Sequence, residues 1–130
     1  MATVVEVSGA PYPSELDGRA ILPLEGHSLA SSFAADAIDR PPMFWEHEGN
    51  GAMRDGRWKL VREYPKDWEL YDMVADRTET HNLAAVQPER VAHMAAQYEA
   101  WARRSGVLPR EQVLALMRSQ GVTQAFWEDE

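Results

Sequence analysis

The stretch from Met43 to Asp72, MFWEHEGNGAMRDGRWKLVREYPKDWELYD, decides the fold. MFWEH is a β-prone run bounded by Pro42 before it and Gly49 after it. Residues 51–63 then give two short β-prone runs on either side of Asp55-Gly56. Asp-Gly between such runs is the strongest short-range hairpin signal, because both central residues of a type I′ turn need positive φ. Pro65-Lys66-Asp67 marks the next turn, and WELYD reads as a further strand. The prediction is an antiparallel meander of about four strands.

Working outward, a polar loop runs from Asp76 to Gln87, and a helix opens at Pro88. Proline suits the first helical position, where its missing N–H has no intrahelical partner. Val91, Met94, Ala95, Tyr98, Trp101 and Ala102 recur at i, i+3, i+4 and i+7, which makes one apolar stripe suited to core packing. Arg103 and Arg104 complement the negative helix end, and Gly106 stops it. A second helix is predicted from Pro109 through Val113, Leu114 and Met117, ending by Gly121, before a tail that carries Phe126 and Trp127. The fold class is α+β: a small antiparallel sheet against a long C-terminal amphipathic helix. Two regions are expected, 1–42 and 43–130. In the first, residues 2–8 (ATVVEVS) are apolar and end at Gly9, either as a strand or as the last turns of a glycine-capped helix. Pro11, Pro13, Pro23, Pro41 and Pro42 break the rest into a mostly irregular segment.

Composition limits what the chain does. Its 130 residues are 45% hydrophobic and 26% charged, ordinary for one globular domain. The net charge is −8, which argues against nucleic acid as a partner. Residues 1–53 hold eight acids and two bases, whereas 54–130 hold thirteen and eleven, so the cations begin in earnest at Arg54. No cysteine is present, which excludes disulfides, thiolate metal sites and a Cys nucleophile within these residues. No apolar run approaches a membrane span of roughly 20 residues, and no signal-peptide pattern opens the chain. A soluble chain, cytoplasmic by default and making no membrane contact, is the expectation, with any export signal lying upstream.

Motifs for chemistry are sparse. His27, His47, His81 and His93 form no HExxH and no metal-ligand pair, and no P-loop, GxGxxG or GxSxG occurs. The dense polar cluster is Glu46-His47-Glu48-Gly49-Asn50. Side chains alternate along a strand, so His47 and the two glutamates face opposite ways and cannot converge on one metal. A solvated strand end is one reading, and a His or Asn lining a pocket is the other. Asp72 and Asp76 are candidate paired carboxylates, though acids at turns and strand ends usually face solvent. Arg54, Arg57, Lys59 and Arg62 read as one solvated sheet face, with anion contact the alternative.

The order of the segments resembles a family. PYPSELDGRAILPLEGHSL, RPPMFWEHEGNGAMRDGRWKLV, WELYDMVADRTETHNLA and QPERVAHMAAQYEAWARRSGVLP, in that sequence, resemble the C-terminal part of type I sulfatases, and among them the bacterial arylsulfatases of the alkaline-phosphatase superfamily. The resemblance spans residues 1 to about 115. It implies a sulfuric ester hydrolase whose N-terminal α/β domain holds a formylglycine, made from the Cys or Ser of C/S-x-P-x-R, beside a calcium ion. Neither fits here: the residues two before each proline are Gly9, Pro11, Ile21, Asp39, Arg40, Glu63, Val86 and Val107. The resemblance therefore implies no catalytic residue, no metal site and no bound cofactor in this chain. It implies a subdomain that completes the fold, inactive alone, whose partner is the absent catalytic domain or another copy of itself. Residues 11–42 would lie across that domain, and His47 and Asn50 would help to wall the substrate pocket. Two other readings stand beside it: a free-standing protein-interaction module derived from such a subdomain, and a small hydrolase using His47 with Glu46 or Glu48 as general acid and base.

Overall fold

The computed structural model describes residues 1–35 and 40–121. Phe126 and Trp127 lie outside the described residues. Two compact units divide the chain, Met1–Pro41 and Pro42–Glu130.

In the first unit, residues 2–8 are the helical alternative: α1 (Ala2–Ser8) ends at Gly9, whose φ of 66° is the left-handed cap. Two short strands, β1 (Glu15–Leu16) and β2 (Arg19–Ala20), pair around Asp17-Gly18, and a single 3₁₀ turn spans Ala30–Phe33. The segment expected to be irregular thus holds a small hairpin. Its turn has positive φ at both Asp17 (50°) and Gly18 (73°), as type I′ requires. No described residue of this unit is buried.

In the second unit, β3 (Met43–His47), β4 (Asn50–Asp55), β5 (Trp58–Arg62) and β6 (Glu69–Asp72) form one antiparallel sheet in the order β3-β4-β5-β6. The meander is as predicted, with the β4–β5 hairpin central, but its turn chemistry is displaced by one residue. Asp55 pairs with Trp58, so the two-residue loop is Gly56-Arg57. Gly56 has positive φ (53°) and Arg57 does not, the pattern of type II′ with glycine first. The type I′ geometry expected there occurs instead between β3 and β4, where Glu48 (55°) and Gly49 (91°) both adopt positive φ. What reads as a solvated strand end is a tight turn.

The register aligns Phe44, Met53, Leu60 and Leu70 across all four strands. On this face lies α2 (Pro88–Ser105), which contributes Met94, Tyr98 and Ala102 to the core. Met53, Leu60 and Leu70 are fully buried. Trp101 is half-buried and stacks on Phe44 with ring centroids 5.1 Å apart. Gly106 (φ 74°) ends α2, and the Val107 N–H donates to the Ala102 carbonyl at 2.9 Å, a Schellman closure. After this corner α3 (Arg110–Ser119) begins. The outer edge of β6 is closed by the loop that precedes α2. The Leu70 N–H donates to Asn82 Oδ1 at 3.1 Å, and the Leu83 N–H donates to the Leu70 carbonyl at 2.8 Å. Asn82-Leu83 therefore satisfies backbone groups that an edge strand leaves open. No described helix is long and apolar enough to cross a membrane.

Candidate functional site: the turn and cleft beside the α2–α3 corner

The β3–β4 turn is held from three directions. Glu46 Oε1 accepts from the Gly49 N–H at 2.7 Å. Arg110, at the start of α3, donates to the Glu48 carbonyl at 2.6 Å and lies 3.8 Å from its carboxylate. Asn50 Oδ1 accepts from the Tyr64 N–H at 2.9 Å, which ties the turn to the chain leaving β5. Glycine is required at 49 on two counts: the positive φ, and a Cβ there would lie 2.8 Å from Arg110 Cδ. Gly51 is required by approach alone, since its Cβ would sit 2.7 Å from Tyr98 Oη.

Next to this turn opens a cleft of about 520 Å³. Its walls include Glu46, Arg62, Trp68, Tyr98, Arg103 and Arg110. The Arg62 guanidinium lies 4.5 Å from the Trp68 ring centroid, and Tyr98 meets Trp68 edge-on at 5.0 Å. Also on the walls, the Tyr64 hydroxyl donates to Glu111 Oε1 at 2.6 Å. That bond raises the tyrosine's proton affinity and holds the Glu111 carboxyl below its usual range. Burial pushes the Tyr98 phenol up.

The residues singled out from sequence are distributed unevenly over this site. Glu46 lines the cleft, whereas His47, the next residue along the strand, is exposed. The two therefore face opposite sides of β3 and make no acid/base pair. Asn50 is exposed and engaged with the Tyr64 backbone, and neither His47 nor Asn50 lines the cleft. Asp72 and Asp76 are not a carboxylate pair for catalysis. Asp72 takes a bidentate hydrogen-bonded ion pair from Arg57 and the N–H groups of Val74 and Ala75. The Arg57 bond is the largest cause of its lowered pKa, and it outweighs burial. Asp76 is pushed up by burial but held below its ordinary value by the backbone N–H groups of His81 and Thr80 and the hydroxyls of Thr80 and Thr78. Both organise the loop that leads to α2.

Nor do the four cations share a solvated face. Lys59 pairs with Glu79 at 2.6 Å, Arg57 with Asp72, and Arg54 Nε donates to the Gly56 carbonyl. Arg62 sits on the helix-facing side of β5, in register with Gly51 and Glu46. Strand alternation separates Lys59 from Arg62, and the turn takes Arg57 away from both. Arg62, Trp68 and Arg110 gave no local signal as one site, because they meet only when the α2–α3 corner folds over the sheet. Among the described residues no group of three or more His, Asp or Glu side chains is placed to hold a metal ion.

No family model matches the chain. It is 27% identical over 117 residues to an uncharacterized sulfatase of Schizosaccharomyces pombe, covering 83% of this chain and 21% of that protein. To arylsulfatase K of Rattus norvegicus it is 28% identical over 96 residues, covering 67% of this chain and 17% of that protein. Among solved structures, the Bacteroides thetaiotaomicron protein BT33336S-sulf, from a locus for metabolism of multiple glycosaminoglycans, superposes with a TM-score of 0.60 at 19% identity. That match covers 76% of this chain and 23% of the other. Ps i-CgsB in complex with k-i-k-neocarrahexaose superposes at 0.63 with 17% identity, over 95% of this chain and 28% of the other. The chain is therefore similar to sulfatases and spans only part of such proteins, about a fifth of the length of the curated relatives that it matches.

Proposed function

We propose that the chain is the C-terminal portion of an arylsulfatase, a sulfuric ester hydrolase, and that it completes the fold and one wall of the substrate pocket rather than performing the chemistry. The observation that carries this reading is the pinned Glu48-Gly49 turn at the end of β3. It fixes His47 and Asn50 at one sheet end, on a scaffold shared with solved relatives. Rigid support from three sides is what a residue needs if it is to hold a substrate group in place. His47 is exposed there and can offer either ring nitrogen to a sulfate ester, while Asn50 keeps its amide NH₂ for a ligand as its Oδ1 holds Tyr64.

Nucleophile and charge neutralisation belong, in this reading, to a separate catalytic domain. Neither a formylglycine nor a calcium ion fits the residues described, for there is no cysteine, no C/S-x-P-x-R and no metal-binding cluster among the described residues. The same reading gives the first unit its role. Val4, Leu22 and Phe33 are 60%, 71% and 73% exposed, and in this reading the catalytic domain covers them.

The reading is tested by introducing His47→Ala into the complete enzyme encoded around this segment. A lower kcat/KM for a chromogenic aryl sulfate at unchanged Tm is expected. Unchanged kinetics, or a loss that only tracks unfolding, removes His47 from the pocket. Calcium-dependent turnover by the purified chain alone, above a heat-killed control, contradicts the division of labour itself.

A further inference from the structure

We propose that the cleft at the α2–α3 corner binds a small ligand through an oxyanion, a carboxylate or sulfate group, anchored by Arg62. The inference does not depend on the sulfatase reading, because every group it uses lies between Glu46 and Glu111 in the second unit.

Arg62 carries it. Its guanidinium lines the cleft, and no described residue accepts a hydrogen bond from it. Two of the other three cations on the walls are already paired. Arg110 is engaged with Glu48, and Lys66 pairs with Glu63 at 2.7 Å. Two of the carboxylates on the walls are likewise engaged: Glu46 holds the Gly49 N–H, and Glu111 holds the Tyr64 hydroxyl. The guanidinium lies over the Trp68 ring at 4.5 Å, a contact that restrains it and removes part of the ordering cost of binding. A planar fork of N–H groups held in this way matches an oxyanion, and such charge-assisted bonds are the strong ones. The volume, about 520 Å³, falls within the range of roughly 300–1,000 Å³ typical of small-molecule sites. Glu46, Asp67, Glu99 and Glu111 on the same walls disfavour a ligand carrying several dispersed negative charges. One oxyanion directed at Arg62, on an otherwise uncharged body, is what the cleft accepts.

The test uses the whole chain and reads arginine Nε–H resonances by ¹H–¹⁵N spectroscopy during titration with sodium acetate or sodium sulfate, at ionic strength held constant with chloride. The Arg62 signal should shift saturably. Those of Arg54, whose Nε donates to Gly56, and Arg57, whose Nε donates to Asp72, should stay in place. A response to acetate alone assigns a carboxylate ligand, and one to sulfate alone assigns a sulfate. An unmoved Arg62 signal, or equal drift of all three, overturns the proposal. Arg62→Lys should weaken binding by about tenfold through loss of the fork, and equal affinity in a folded R62K variant also overturns it. If R62K does not fold, the wild-type arginine titration decides alone.

Discussion

The two units of this chain use the same local devices and end with different cores. Each contains a helix closed by a left-handed glycine, at Gly9 in one and Gly106 in the other. Each contains a type I′ hairpin turn, at Asp17-Gly18 and at Glu48-Gly49. In Pro42–Glu130 four strands present Phe44, Met53, Leu60 and Leu70 to α2, and three side chains lose all contact with water. In Met1–Pro41 no described residue is buried, although Val4, Val7, Leu22, Leu29 and Phe33 supply apolar surface. Caps and turns set local geometry at about 1 kcal/mol each. Only burial at about 25 cal/mol per Å² offsets the entropy of ordering a chain. The second unit has that term within itself, and the first needs it from elsewhere.

The widest gap between the units should appear in large-to-small substitutions. Leu60→Ala, at a site with no solvent exposure, is expected to cost about 2–5 kcal/mol in denaturant unfolding of the chain. Leu22→Ala, at 71% exposure, should stay within about 0.5 kcal/mol. Comparable losses at the two positions break the comparison. Trp101→Ala comes next, at about 3 kcal/mol, because the indole stacks on Phe44 but keeps one side open to water. A loss under about 1 kcal/mol would place the indole outside the core. Gly51→Ala follows, at about 1–3 kcal/mol, as the new methyl must displace the Tyr98 hydroxyl from 2.7 Å.

Smaller still is the acid dependence carried by Asp72. Its native pKa is depressed, chiefly by the Arg57 hydrogen bond, so its stabilising contribution is complete above the unfolded carboxyl value of about 3.9. It is lost as pH falls through the lower native value. Asp72→Asn should lower Tm at neutral pH and flatten the stability profile below about pH 4, and a profile parallel to wild type contradicts the assignment.

The meander and α2 were legible in the sequence because each rests on local signals: strand alternation, Asp-Gly, Pro88 at the first turn, and one stripe from Val91 to Ala102. The turn types were less so. Asp55-Gly56 and Glu48-Gly49 both offer a glycine, and what chose the type I′ site was tertiary: Glu46, Arg110 and Asn50 converge on the second and not on the first. WELYD and the later Asn82-Leu83 read as a strand and a loop, and only the fold shows that the loop satisfies the strand's edge. The cleft was illegible because its walls come from residues as far apart as Glu46 and Glu111, joined by a corner that no periodicity announces.

Native-state hydrogen exchange on the isolated chain tests most directly the claim that one unit carries its own core and the other awaits a partner. The amides of Met53, Leu60 and Leu70 should be protected to near the global unfolding free energy, while those of Val5 and Ile21 exchange at close to unprotected rates. Equal protection in both units, in a chain shown to be monomeric, would contradict the account.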